Sequence, residues 1–197
     1  MPQINLQIRI TEDDINEMIS RYHFNEDDYE HYKAMGEMMM PLLEVRGFYE
    51  FVSDVEEIHY DKSMVAFFTL GDGIDLLQNV YSDKYCMEEA YLIDCLGLVL
   101  LTKGYEEFIK EIQKQTKLWV SKIDFLGDEY PLELIPKLYE YCSPDNITYN
   151  NQLVLSPSKS VAFILPLSDT PGENPCNICI NCNNKECIFR KEEINYG

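Results

Sequence analysis

The segment from residue 86 to 114 places the tightest limit on what this chain can fold into. It has helical length, and from Ala90 to Leu101 it is apolar almost all round, Asp94 excepted. A helix that is apolar on every side must be covered on most of them. The remainder of the 197-residue chain therefore has to wrap around it. Asp94 within that surface needs a partner, and a neighbouring backbone or hydroxyl group is the simplest one. The chain length suits one domain, or one domain with a short appendage. Hydrophobic residues make up 46% of it, enough to fill a core.

Strand and helix signals alternate around this segment. Residues 4–10 (INLQIRI) alternate apolar and polar, as a half-buried strand does. Thr11 and Asp14 form a capping-box-like start, with Asp in place of Glu or Gln, and predict a helix to about His23. A second helix is expected over roughly 26–42. Its Met35, Met38, Met39, Met40, Leu42 and Leu43 read as an adaptable core stripe, with a soft binding face as the sharper alternative. Residues 48–60 are irregular and extended, and 63–70 form a buried strand closed by Gly71-Asp72-Gly73. A short helix is expected over 74–81, a strand over 117–124, and a helix from Pro131 to Cys142. Two further strands, 147–155 and 160–167, flank the turn Ser156-Pro157-Ser158-Lys159. No regular βαβ rhythm emerges, so the expected class is α+β. The composition shifts after Leu167, dividing the chain into a domain over 1–167 and a cysteine-rich tail over 168–197.

Charge and targeting signals narrow the function classes. The formal net charge is -19, from 35 acidic and 16 basic residues. That field repels phosphate backbones and anionic lipid, so no nucleic acid and no membrane is expected as a partner. A basic protein or a cationic ligand fits better. No apolar run approaches the ~18 residues of a membrane span. The start MPQINLQIRITEDD lacks the pattern of a secretory signal, so a cytoplasmic location is expected. His23, His31 and His59 fall in no metal-ligand spacing and read as surface residues. Gly-rich phosphate loops and the G-x-S-x-G elbow are absent. The pairs Asp13-Asp14 and Glu56-Glu57, and the run Glu26-Asp27-Asp28, read as solvated faces or helix starts.

The tail carries the strongest chemical signal. Cys176, Cys179, Cys182 and Cys187 are separated by two, two and four residues in a segment too polar to be core. Such spacing suits a metal centre. Zinc takes four thiolates in a closed, structural tetrahedron, and 4Fe–4S clusters favour C-x2-C-x2-C runs. The preference falls slightly on the cluster. A reduced or disulfide-linked tail is the plainer alternative. Cys86, Cys95 and Cys142 are solitary and lie in apolar or helical contexts. With no signal peptide, reduced thiols are expected throughout.

The second half has a recognisable order. Gly127-Asp128-Glu129-Tyr130-Pro131-Leu132-Glu133 leads into a helix ending Leu138-Tyr139-Glu140-Tyr141-Cys142. After a strand come Leu155-Ser156-Pro157-Ser158-Lys159-Ser160-Val161, a second strand, and the tail ending Cys187-Ile188-Phe189-Arg190. With Gly71 and Glu89-Ala90-Tyr91-Leu92-Ile93-Asp94, this resembles the activation (S-adenosylmethionine-binding) domain of cobalamin-dependent methionine synthase over roughly residues 64–190. It is most similar to the small stand-alone versions with a C-terminal cysteine cluster. The resemblance implies an α+β fold with a curved antiparallel sheet flanked by helices. It also implies a role in reactivation. The family presents S-adenosylmethionine to an oxidised corrinoid while an electron donor reduces the cobalt, and the cofactors carry the hard chemistry.

One stretch departs from the family pattern. Lys122 stands where the family has an Arg that helps hold the ligand, and Phe125-Leu126-Gly127 replaces Pro-Gly-Tyr. Lysine lacks the planar fork of arginine, so no ligand-binding residue is carried over. Ser158, Lys159 and Ser160 match the family turn, where a tight β-connection is an equal reading. The expected function is that of a stand-alone reactivation-domain-like protein. It would assist the reductive methylation of a corrinoid methyltransferase with S-adenosylmethionine. The alternative is a non-enzymatic binding or electron-transfer module, in which that small-molecule site is lost and the cysteine-ligated centre does the work. Iron, sulfide and zinc analysis of anoxically purified protein is expected to find one cluster or one zinc ion per chain. Substoichiometric metal of every kind would overturn the reading of Cys176, Cys179, Cys182 and Cys187.

Overall fold

The computed structural model describes residues 2–53 and 55–170. The chain opens with β1 (Gln3–Asn5), α1 (Glu12–Tyr22) and α2 (Tyr29–Met39), followed by β2 (Arg46–Val52) and β3 (Ser63–Thr69). Then come α3 (Gly73–Asp83), α4 (Met87–Thr116) and two short strands, β4 (Trp119–Val120) and β5 (Asp124–Phe125). The last described part holds α5 (Ile135–Cys142), β6 (Thr148–Tyr149), β7 (Leu155–Ser156) and β8 (Ser160–Ser168). The class is α+β, with a curved antiparallel sheet flanked by helices.

The sheet runs β1-β2-β3-β8, every pair antiparallel, and β4 and β5 share the outer edge of β8. β3 is buried at all seven positions, because both faces of the sheet are covered. On one face lies the 30-residue α4, about 45 Å long at 1.5 Å per residue. Leu92, Leu96, Leu100, Phe108 and Ile112 of α4 join Phe68, Phe163 and Leu165 of the sheet in the larger core, which α1, α2 and α3 complete. On the other face α5 contributes Leu138 and Cys142 to a smaller core with Phe48, Phe67 and Ile164. The expected all-round burial of α4 is thus met by the sheet on one side and three helices on the others.

The capping box of α1 is present: the Asp14 amide donates to Thr11 Oγ1 at 3.3 Å, and the Thr11 amide donates to Asp14 Oδ2 at 2.6 Å. Aspartate does the work of the longer glutamate. Three expected strands are shorter than their patterns, each for a local reason. After the Leu6 amide donates to the Val45 carbonyl at 3.1 Å the chain leaves the ladder, yet Ile8 and Ile10 still pack on the larger core with Leu6. Their alternation records packing rather than pairing. Residues 117–124 divide into β4 and β5, which meet β8 at Ser168 and Ile164 respectively. Residues 147–155 fold back on themselves, because Asn150 Oδ1 accepts from the amides of Gln152 and Val154, and Leu153 adopts a left-handed φ of 63°. The helix after Pro131 begins as a 3-10 turn over Leu132–Leu134 before α5. Among the described residues, no helix is long and apolar enough to cross a membrane.

The approach of α4 to the sheet requires a residue without a side chain at Gly47. A Cβ there would lie 2.2 to 2.5 Å from the ring carbons of Phe108, which is fully buried. Gly47→Ala is therefore expected to cost about 2 kcal/mol of stability by overpacking, read as a lower urea midpoint at unchanged slope.

Candidate functional site

A cleft of about 670 Å³ opens on the α5 side of the sheet. One wall comes from the β2–β3 connection, with Glu56, Glu57, His59 and Tyr60. The opposite wall comes from β5 and the turn after it, with Asp124, Glu129, Tyr130 and Pro131. The first wall is tied to α5 by Glu57, which receives a hydrogen bond from Lys137 Nζ at 2.9 Å. That bond holds the Glu57 carboxyl below its usual range. In the second wall, Gly127 adopts a φ of 95°, which favours glycine. Its amide donates to the Tyr130 carbonyl at 2.6 Å, closing a turn that returns Tyr130 to the cleft.

Asp124 is the fixed point of the cleft. It sits on β5 opposite Ile164 of β8, and its side chain is only 2% exposed. Tyr60 donates its hydroxyl to Asp124 Oδ2 at 2.7 Å, and Lys122 Nζ meets Oδ1 at 2.8 Å. The same ammonium lies 5.4 Å from the centre of the Tyr60 ring, within cation–π range. Burial works against the charge on Lys122, but the Asp124 carboxylate and the Tyr60 hydroxyl outweigh it and hold the amine above its ordinary range. Burial raises the Tyr60 hydroxyl, and the hydrogen bond to Asp124 adds to the effect. Burial, with Tyr60 beside it, pushes Tyr130 up to about 12. Both phenols are neutral near pH 7 and offer ring faces, while the Tyr60 O–H is already given to Asp124. The cleft thus combines two aromatic surfaces, a neutralised carboxylate and further acidic groups. That arrangement suits a planar ligand carrying positive charge.

A second constellation lies across the sheet, where the Ser156–Lys159 turn meets α3 and α4. Lys159 is 4% exposed and reaches Asp94 Oδ1 at 2.7 Å, with Gln78 Nε2 at 3.5 Å from the same oxygen. The stem of Lys159 passes Gly97, where a Cβ would lie 2.7 Å from its Cε. The partner of Asp94 is therefore an ammonium brought in from 65 residues away, not the backbone or hydroxyl group expected. The Ser158 amide donates to Asp75 at 2.8 Å, and its hydroxyl donates to the same carboxylate. Ser160 donates to Thr69 Oγ1 at 2.8 Å. All three residues of the turn bond within the protein, which is the tight connection weighed above. The Ser156–Pro157 peptide is cis.

The chain shares its fold with the MetH reactivation domain bound to AdoHcy. The two superpose with a TM-score of 0.52 at 8% identity, over 88% of this chain and 78% of that domain. No family model matches the sequence, and no curated protein does. The likeness is one of fold, and it includes the curved antiparallel sheet and the helices around it.

The site residues read from sequence fall in four groups. Cys176, Cys179, Cys182 and Cys187 lie outside the described residues. Among the described residues, no cluster of three or more His, Cys, Asp or Glu side chains could hold a metal ion. Lys122, singled out as a departure, borders the cleft. Cys95 and Cys142 are buried, and burial pushes their thiols up to about 11 and about 12, so they are inert at neutral pH. His23, His31 and His59 are exposed, as expected, though His59 lines the cleft. Tyr60 and Asp124 were not legible as a pair, because 64 residues separate them and no spacing joins them. Removing one partner of a buried ion pair leaves the other uncompensated. Lys122→Met is expected to destabilise the protein by about 2 kcal/mol, given the half-exposed amine. Adding Asp124→Asn should restore most of that loss in a double-mutant cycle of unfolding free energies.

Proposed function

We propose that this chain is a stand-alone reactivation-domain-like protein whose cleft between Tyr60 and Tyr130 takes an adenosyl ligand of the S-adenosylmethionine type. The observation that carries the reading is one of position. One wall of the cleft, with Asp124, Glu129, Tyr130 and Pro131, comes from within and just after the 122–127 stretch where the resembled family holds its ligand, on a fold shared with a domain bound to AdoHcy. In this reading the rings of Tyr60 and Tyr130 stack on the flat base, and the acidic wall attracts the positive groups. Such a protein would serve a corrinoid-containing methyltransferase in reductive methylation. The corrinoid and its electron donor would supply the reaction, while this chain binds and orients the methyl donor. The tail over 168–197 would add a 4Fe–4S cluster or a zinc ion on its four cysteines, beside the 1–167 domain.

One observation favours a second reading. The Lys122 amine is already engaged with Asp124 and Tyr60, where the family has a ligand-holding Arg. If the small-molecule site is lost, the fold serves as a binding or electron-transfer module centred on the cysteine tail.

Calorimetric titration of metal-replete protein with S-adenosylmethionine, and separately with S-adenosylhomocysteine, divides the two. Saturable one-to-one binding, weakened at least about tenfold by Tyr130→Ala (~1.4 kcal/mol), is expected. No binding at millimolar ligand by heat or thermal shift would overturn the first reading. Attention would then pass to a reversible absorbance change on reduction, which a cluster shows and zinc does not.

A further inference from the structure

The helical side of the sheet carries an apolar surface that the fold leaves open. The methionine stripe of α2 divides: Met35 and Met39 are buried in the larger core, whereas Met38 is 47% exposed. Leu42, just beyond α2, is 37% exposed, and on α3 Leu76 and Val80 are 60% and 47% exposed. Leu76 and Val80 are four apart and share one face of α3. The two helices meet along these residues. The Leu42 backbone closes on Gly73 at the start of α3, and the Tyr81 hydroxyl of α3 lies 3.9 Å from Met38 Sδ. The inward aliphatic neighbours on α3, buried Ile74 and partly buried Leu77, do not explain why the outward positions are apolar too.

Charge identifies what would cover this seam. The acidic residues Glu30, Glu37, Asp72 and Asp83 on or beside the two helices outnumber Lys33 and Lys84. All four are exposed. A second copy of the chain would bring the same acidic rim against itself, in a molecule of formal charge -19. An aliphatic strip bordered by carboxylates instead complements a helix with one apolar and one cationic face. We infer that the α2–α3 seam is a docking surface for a cationic amphipathic helix of a partner protein. Its apolar face would cover Met38, Leu42, Leu76 and Val80, and its Lys or Arg residues would face Glu37 and Asp83. The seam packs on the larger core, and the cleft packs on the smaller core across the sheet. A docked partner would therefore leave the cleft open. This inference does not depend on what the cleft binds.

The test uses the full chain and a fluorescent helical peptide of leucine and lysine arranged with one apolar face. A leucine–glutamate peptide of the same pattern is the control. Anisotropy should show saturable binding of the cationic peptide only, weakening about tenfold between roughly 50 and 500 mM salt. Leu76→Ser with Val80→Ser should weaken it at least about tenfold, and so should Glu37→Lys with Asp83→Lys, while Trp119→Ser, at an exposed aromatic elsewhere on the surface, should not. Circular dichroism confirms that each variant remains folded. Several outcomes would overturn the inference. They are no binding of the cationic peptide, equal binding of the anionic one, affinity unchanged by both double variants, or a sedimenting dimer that Leu76→Ser with Val80→Ser dissolves.

Discussion

The packing of α4 against the β2–β3–β8 sheet is the contact on which the rest of the structure depends. Phe108 of α4 meets Phe68 of β3 at 5.6 Å and Phe163 of β8 at 6.5 Å between ring centres. Burying these large rings removes much apolar area from water. It also sets the geometry of everything else. Gly47 yields its side-chain volume so that Phe108 can reach the sheet, and Gly104 does the same on the helix, facing Phe68. Once the helix is seated, α1, α2 and α3 can only lie on its remaining sides, and α5 must take the opposite face of the sheet. The candidate cleft is a by-product of that division, at the end of the sheet that α5 does not fill.

Cations are scarce in this chain, and the structure uses several of them inward. Lys159 spans from the β7–β8 turn to Asp94 on α4, and Lys122 neutralises Asp124 beneath the cleft. Lys103 joins Asp14 of the α1 capping box at 2.5 Å and also donates to the Arg9 carbonyl. The Lys159 and Lys103 pairs tie α4 to distant pieces of chain, whereas the Lys122 pair is local and offsets the cost of burying Asp124. The remaining carboxylates lie outside and supply the negative field. The same allocation gives the two candidate interaction surfaces their character. The cleft keeps aromatic faces and acidic groups while the lysines beside it are engaged, Lys122 with Asp124 and Lys137 with Glu57. The α2–α3 seam keeps an acidic border because carboxylates outnumber basic groups in the chain by 35 to 16.

Much of this was determined by sequence alone, and the rest had to wait for tertiary structure. Helix positions were readable because their signals are local: the Thr11–Asp14 box, the apolar run of α4 interrupted only by Asp94, and Gly71 between β3 and α3. The α+β class and the curved antiparallel sheet followed from the order of elements and from the family resemblance. Strand length was readable for β3 and β8, expected over 63–70 and 160–167, but not for the short edge strands. A period-2 pattern marks which side chains turn inward, and Ile8 and Ile10 do so beyond the last residue of β1. Whether backbone groups pair depends on a partner edge, which is a property of the whole fold. The partner of Asp94 was hidden for the same reason. A carboxylate on an apolar helix announces that it needs a counterpart, but only the fold brings Lys159 past Gly97 to meet it. The cleft shows the limit most plainly. Lys122 drew notice because it replaces an expected arginine, whereas Tyr60 and Asp124 gave no signal until the β2–β3 connection was laid against β5. Residue types fix what a side chain can do, and three-dimensional packing alone decides which of them do it together.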